Sequence, residues 1–351
     1  KQLDNDKISY FKTPRILPVA KSFEYAYLKA RGDFLVPIGA DDGILYNGLS
    51  TIHKILEKYP EEDIILWDRL HYVWPNFSYK PQSDQFVIPR PYVPDNYPVE
   101  KVNSMDLLKR ILLFPQSIYE APLLYINSGM KRTYLLKMFE KTGTLLDGMS
   151  QDVYTGIANL AINKETLHIQ YPVTIAALSS NSIGGSSMEG IKTTQDRQKN
   201  FQELFETNTG NSIQRNLEHL IPASHGDISN IYRSILRLID MQCLGPEVLN
   251  YFDWRKAYQR IAEQLQETDM NFDSVLSRML NVSRNISEDL HEWFFEQIRD
   301  RKLRFMVINQ DVPKSYHKGF SIDSGLHMDA SEFGINNVYD AAQFARKLLN
   351  L

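Results

Sequence analysis

Two adjacent carboxylates, Asp41 and Asp42, follow the apolar run Phe34-Leu35-Val36-Pro37-Ile38 and precede Gly43. An acidic pair at the C-terminal end of a buried strand lies where open α/β sheets bind ligands. Like charges this close raise each other's pKa unless a cation neutralises them. Hard oxygen ligands suit Mg2+ or Mn2+, which would in turn bridge a substrate diphosphate. The same residues also read as a solvated Asp-Asp-Gly turn in which one acid caps the next helix, and spacing alone leaves both readings open. His225, in Ser224-His225-Gly226-Asp227, offers an imidazole that could complete a metal site, although a surface or capping role is the commoner fate of such a residue. Asp152 stands at the head of an apolar-periodic segment, where it or Ser150 can serve as the cap.

The elements that must hold these residues follow from periodicity. Phe23, Ala26, Tyr27 and Ala30 form the stripe of a short helix ended by Gly32. The run 34–38 reads as a buried strand, with Pro37 implying a bulge or an unpaired side. Leu45, Leu49, Ile52, Ile55 and Leu56 recur at helical spacing up to Tyr59-Pro60. A strand is expected at 63–67, then a Pro-, Tyr- and Asn-rich excursion over 72–97. Helices are expected at 104–114, 131–142 and 152–162, and a strand at 166–175. This alternation is that of an open α/β sheet. Beyond the polar Ser/Gly stretch after residue 175, strand signals nearly vanish and apolar stripes such as Ile228, Ile231, Ile235 and Leu238 indicate helices.

The chain has 351 residues, a net charge of -4, and no basic block, so the electrostatic footprint of a phosphate-backbone binder is missing and nucleic acid is not an expected partner. The single cysteine, Cys243, allows no internal disulfide and sits in what reads as a helix end. No apolar run approaches the ~18 residues that span a bilayer. A cytoplasmic protein is expected, with the inner face of the membrane as a further possibility of place.

Several segments together resemble the middle of a bacterial family 2 glycosyltransferase. They are Tyr10-Phe11-Lys12, Ser22-Phe23-Glu24-Tyr25-Ala26, Ala30-Arg31-Gly32-Asp33-Phe34 and Ile38-Gly39-Ala40-Asp41-Asp42-Gly43. The resemblance continues in Gly148-Met149-Ser150-Gln151-Asp152-Val153-Tyr154, in Tyr171-Pro172-Val173-Thr174-Ile175, and in Ser179, Ser182 and Gly184-Gly185-Ser186. It implies a GT-A type fold with a Rossmann-like mixed sheet over residues 1–180, a linker at 181–200 and a mainly α-helical region over 201–351. It also implies that the first nucleotide-binding βαβ unit of the family is missing before Ile8.

By the same resemblance, Gly39, Ala40, Asp41 and Asp42 bind the donor, Asp41 and Asp42 with a divalent metal, and Asp152 is the catalytic base. Many relatives carry a further acid where this chain has Gly39 or Ala40, which bears on metal dependence. The family's aromatic pattern after the acidic turn suggests Tyr72 and Trp74 as acceptor contacts, whereas core packing accounts better for Trp67. The implied activity is inverting transfer of a sugar from a nucleotide-diphosphate donor, a UDP-sugar first among them, to a glycan or lipid-linked acceptor in surface polysaccharide synthesis. A catalytically inactive sugar-binding or scaffold subunit is the alternative. The oligomeric state is not legible.

Overall fold

The computed structural model describes residues 7–77, 82–93, 96–124, 126–148, 150–179, 220–222, 227–265, 267, 272–305, 318–322 and 325–350. The stretch 181–200 expected as a linker, and His225, lie outside the described residues.

Chain order is α1 (Val19–Lys29), β1 (Phe34–Leu35), β2 (Gly43–Ile44), α2 (Gly48–Lys58), β3 (Ile64–Val73), β4 (Gln85–Ile88), β5 (Val99–Asn103) and α3 (Ser104–Leu113). A 3-10 helix (Pro115–Glu120) leads to β6 (Ser128–Lys131), α4 (Arg132–Thr142), α5 (Gln151–Ile162) and β7 (Glu165–Leu178). The later helices are α6 (Asp227–Asp240), α7 (Trp254–Glu263), α8 (Phe272–Ile286) and α9 (Glu288–Arg299). They are followed by β8 (Gly319–Ser321), β9 (Gly325–Asp329) and α10 (Val338–Leu348).

Among the described residues nine strands form one mixed sheet. β3 pairs in parallel with β7, and the other pairings are antiparallel. The α/β class expected from sequence is therefore present with far fewer parallel pairs than alternation alone implies. β3 and β7 are long enough to take different neighbours along their length. The first half of β3 lies beside β6 and its last residues beside β4; the first half of β7 lies beside β5, and Thr174 and Ile175 beside β2.

Local sequence explains the ends of several helices. Asn103 caps α3 by accepting a hydrogen bond from the Asp106 amide at 3.0 Å, and Leu107, Leu108, Ile111 and Leu112 all turn inward. Each such side chain contributes about 1.5–3 kcal/mol by leaving water. Gly143 ends α4 at φ 69°, in the left-handed region that a residue without a Cβ enters at no steric cost. The strand expected at 34–38 is reduced to two residues, because Pro37 has no N–H for the ladder and the chain turns away before the acids.

The largest apolar cluster joins α3, α4 and α5 to the later helices: Leu108, Leu135 and Ile157 share it with Ile231, Tyr258 and Phe294. Two smaller clusters involve α2, with Ile52 and Ile55 on Trp67 and Ile169, and α10, with Ala341 and Ala345 in one cluster with Leu70 and Phe86. Although the described residues from 220 onward are mainly helical, their strand β9 pairs with β4 and so joins the sheet of the first half. No described helix is long and apolar enough to cross a membrane.

Candidate active site

The acids lie in the irregular turn between β1 and β2, and tertiary contacts separate their roles. Asp42 is 9 % exposed. Its Oδ2 accepts the Gly39 amide at 2.9 Å, and its Oδ1 accepts the Ala177 amide of β7 at 2.9 Å. Burial raises the Asp42 pKa above the ordinary carboxylate value. The two amide bonds oppose the shift, the Asp41 charge adds to it, and the Arg69 charge opposes it. The mutual repulsion anticipated from sequence is thus a minor cause beside burial. Asp41 is half-buried, and its Oδ2 accepts the Ser179 hydroxyl at 3.0 Å. Ser179 begins the Ser/Gly stretch, of which Ser182 and Gly184-Gly185-Ser186 lie outside the described residues.

Gly39 has a steric reason. A Cβ placed there would stand 2.6 Å from Asp42 Oδ2 and 3.4 Å from Asp41 Oδ1. The space an acid at position 39 would enter is taken by the Asp42 carboxylate. Ala40, beside it, is exposed. Among the described residues no three acids, histidines or cysteines gather as a metal cage. Asp42 is tied to two amides, which leaves Asp41 as the acid with coordinating capacity to spare. One carboxylate plus substrate phosphate oxygens is a normal environment for Mg2+.

Asp152 occupies the first turn of α5, half-buried. Ser150 precedes that helix without capping it through its side chain; instead its Oγ accepts from Asn230 Nδ2 of α6 at 2.6 Å. Close by, Asp147 accepts from Arg237 Nε at 3.3 Å. The segment that presents Asp152 is thus gripped by α6.

Sequence reading overlooked Arg69. The ladder between β3 and β7 shifts register on both sides of Asp68, where the partner is Pro172, a residue with no N–H to give. Ile65 and Trp67 before the bulge reach one apolar cluster, and Leu70 and Tyr72 after it reach another. The bulge turns Arg69 toward Tyr119, with Cζ 5.5 Å from the ring centroid. Burial lowers the guanidinium pKa, and Tyr119, Asp152, Asp42 and Asp68 act in the opposite direction. A cation just beyond the apolar run Ile64-Ile65-Leu66-Trp67 was the available signal, hidden by ending that strand at Trp67.

The aromatic assignment is corrected in part. Tyr72 is 0 % exposed and packs in the cluster behind the sheet, so neither ring face is open to a sugar, and burial pushes its hydroxyl up to about 12. Alternation along β3 places it there, because Arg69 and His71 take the opposite side. Trp74 is half-buried, its ring centroid 5.7 Å from that of Tyr72. Trp67 is core, its Nε1 donating to Thr174 at 3.0 Å.

No protein-family model matches the chain, and no curated protein matches it. Among solved structures, S. aureus TarS 1-349 in complex with UDP-GlcNAc is similar at 12% identity and TM-score 0.36, covering 88% of this chain and 80% of that one. A second TarS structure is similar at 12% identity and TM-score 0.34; the match covers 79% of this chain and spans 42% of that longer chain. Superposition at this level leaves function to be argued from the chain's own residues.

Proposed function

We propose that this chain is a nucleotide-sugar-dependent glycosyltransferase of GT-A type, acting by inversion on a glycan or lipid-linked acceptor. The observation that carries the reading is that Asp42, from the turn after β1, and Asp152, from the head of α5, both act electrostatically on one buried guanidinium, Arg69, while Asp42 is tied to β7 through the Ala177 amide. Transfer with inversion needs two such acidic groups in separate roles. One end must neutralise a leaving diphosphate; the other must take a proton from the attacking hydroxyl.

In this reading Asp152 is the base, held at the first turn of α5 while α6 fixes the preceding segment. Asp42 shapes the turn by binding two amides. Asp41 would hold a divalent cation together with donor phosphate oxygens, and that cation would supply charge neutralisation for the leaving group. A UDP-sugar is the donor to test first. Polysaccharide synthesis at the cytoplasmic face of a membrane is the setting the sequence resemblance favours.

Asp152→Asn tests the assignment. UDP release from UDP-sugars in the presence of glycan acceptors is expected to fall by about 10^2 to 10^4-fold, with donor affinity retained. Undiminished turnover in that variant would rule Asp152 out as the base. The occlusion of position 39 by Asp42 favours a second reading, a sugar-binding subunit without transfer activity. Donor binding without turnover under all acceptor conditions would select it.

A further inference from the structure

The polar groups around Arg69 are incompletely used. Its Nη1 is shielded from solvent and meets no hydrogen-bond acceptor among the described residues. Leaving a buried N–H unmet costs about 1–3 kcal/mol. The neighbouring segment is strained as well: Ile126, a β-branched residue, is held at φ 86°, and its carbonyl accepts the Thr174 hydroxyl. Thr174 stands opposite Arg69 in the ladder. Next along the chain, the Asn127 Oδ1 is also shielded without a donor among the described residues. Asn127 is otherwise anchored, since its Nδ2 donates to the Ala121 carbonyl at 3.0 Å. An orphaned donor, an orphaned acceptor and a strained backbone thus occur together between β3, β6 and β7.

Asp42 is fixed to the same strand that faces Arg69, through the Ala177 amide. The Tyr119 ring limits how the guanidinium can turn. A planar fork of N–H donors held in this way matches the oxygens of a phosphate better than those of a neutral hydroxyl. We propose that Arg69 is a donor-binding residue, its Nη1–H contacting a phosphate oxygen of a nucleoside diphosphate lodged between the acidic turn and Asp152. This assignment rests on the transferase reading and deepens it. Asp42 and Asp152 both act on this one arginine, so a diphosphate would enter with a divalent cation, and Arg69 would give the protein's own contact to it.

Calorimetric titration of UDP and of inorganic pyrophosphate, each with Mg2+, tests this on the wild type and on Arg69→Met and Arg69→Lys. Both ligands are expected to bind Arg69→Met at least about tenfold more weakly, the loss of a charge-assisted hydrogen bond. Arg69→Lys should recover part of the loss, and uridine should bind all three proteins alike. Wild-type affinity for UDP and pyrophosphate in a folded Arg69→Met protein overturns the proposal and leaves the transferase reading standing. If Arg69→Met does not fold, Arg69→Lys decides, because a point charge replaces the fork. Unchanged affinity there overturns the proposal too. A wild-type protein that binds neither ligand overturns both. Conversely, normal turnover in Asp152→Asn would remove the assigned base while the Arg69 contact stood.

Discussion

Two charged clusters lie on the same sheet and use their charges differently. Around Asp68 the charged groups are matched, although the buried Tyr92 hydroxyl beside Arg90 is not among the described residues. The Asp68 carboxylate accepts from Arg90 Nε at 2.7 Å, and the His168 Nε2 lies 3.1 Å from its other oxygen. The second nitrogen of that imidazole is 3.2 Å from Glu100, and Gln170 links Glu100 back to Arg90. Burial opposes ionisation of Asp68, but the bonds from His168 and Arg90 outweigh it, and its pKa is lowered. Around Asp42 and Arg69 the balance is reversed: burial raises the acid, lowers the base, and leaves a guanidinium N–H unmet among the described residues. The first cluster stabilises the fold by completing itself. The second costs stability and keeps polar capacity for something else, as functional sites do.

Stability and activity should therefore separate between the two clusters. The largest effect is expected at Asp41, whose replacement by Asn removes the spare coordinating acid. Turnover should fall by about 10^2-fold or more as charge neutralisation is lost, and EDTA should no longer weaken donor binding, while the denaturation midpoint stays near wild type. A variant that remained EDTA-sensitive would move the cation elsewhere. Next, Asp68→Asn should lower stability by about 2 kcal/mol in urea unfolding, through loss of charge-assisted bonds, with turnover per folded molecule unchanged. A loss of turnover without loss of stability would erase the contrast.

The pH dependence should have opposite signs. Asp68, with a folded pKa below its unfolded value, contributes stability that is present above about 3.8 and lost as pH falls through the lower folded value. The stability difference between wild type and Asp68→Asn should shrink in that acidic window. Asp42, with a folded pKa above its unfolded value, binds its proton more tightly when folded, so the difference between wild type and Asp42→Asn should grow as pH falls through the raised value toward about 3.8. Urea midpoints collected from pH 7 to pH 3 would expose equal signs, which would end the comparison. The smallest effect is expected for Gly39→Ala, where the new Cβ displaces Asp42 Oδ2; a cost of about 1 kcal/mol is expected, with weaker donor binding rather than stronger.

Much of this was legible before folding. Helical periodicity located α2, α3, α4 and α5 within a few residues, since each carries its own apolar stripe and local stop signals. The excursion over 72–97 concealed β4, which has only four residues and lacks the length to announce itself. β9 was equally obscure, because its place beside β4 depends on a pairing between chain segments far apart. The inward or outward sense of Tyr72 was decided by β3's alternation after a bulge, which a linear pattern does not register. Gly39 looked like the loss of an acid; in three dimensions the Asp42 carboxylate occupies its space.

Sequence by itself determined that an acidic pair would follow a short apolar run and that Asp152 would begin a helix, because both depend on neighbours along the chain. Only the tertiary structure decided how those acids are held. It buried Asp42 against amides from its own turn and β7, left Asp41 half-buried beside Ser179, and set Arg69 next to a bulge opposite Pro172. Burial, hydrogen-bond saturation and the approach of distant charges are properties of the packed chain, and they separate a structural carboxylate from one with capacity left for chemistry.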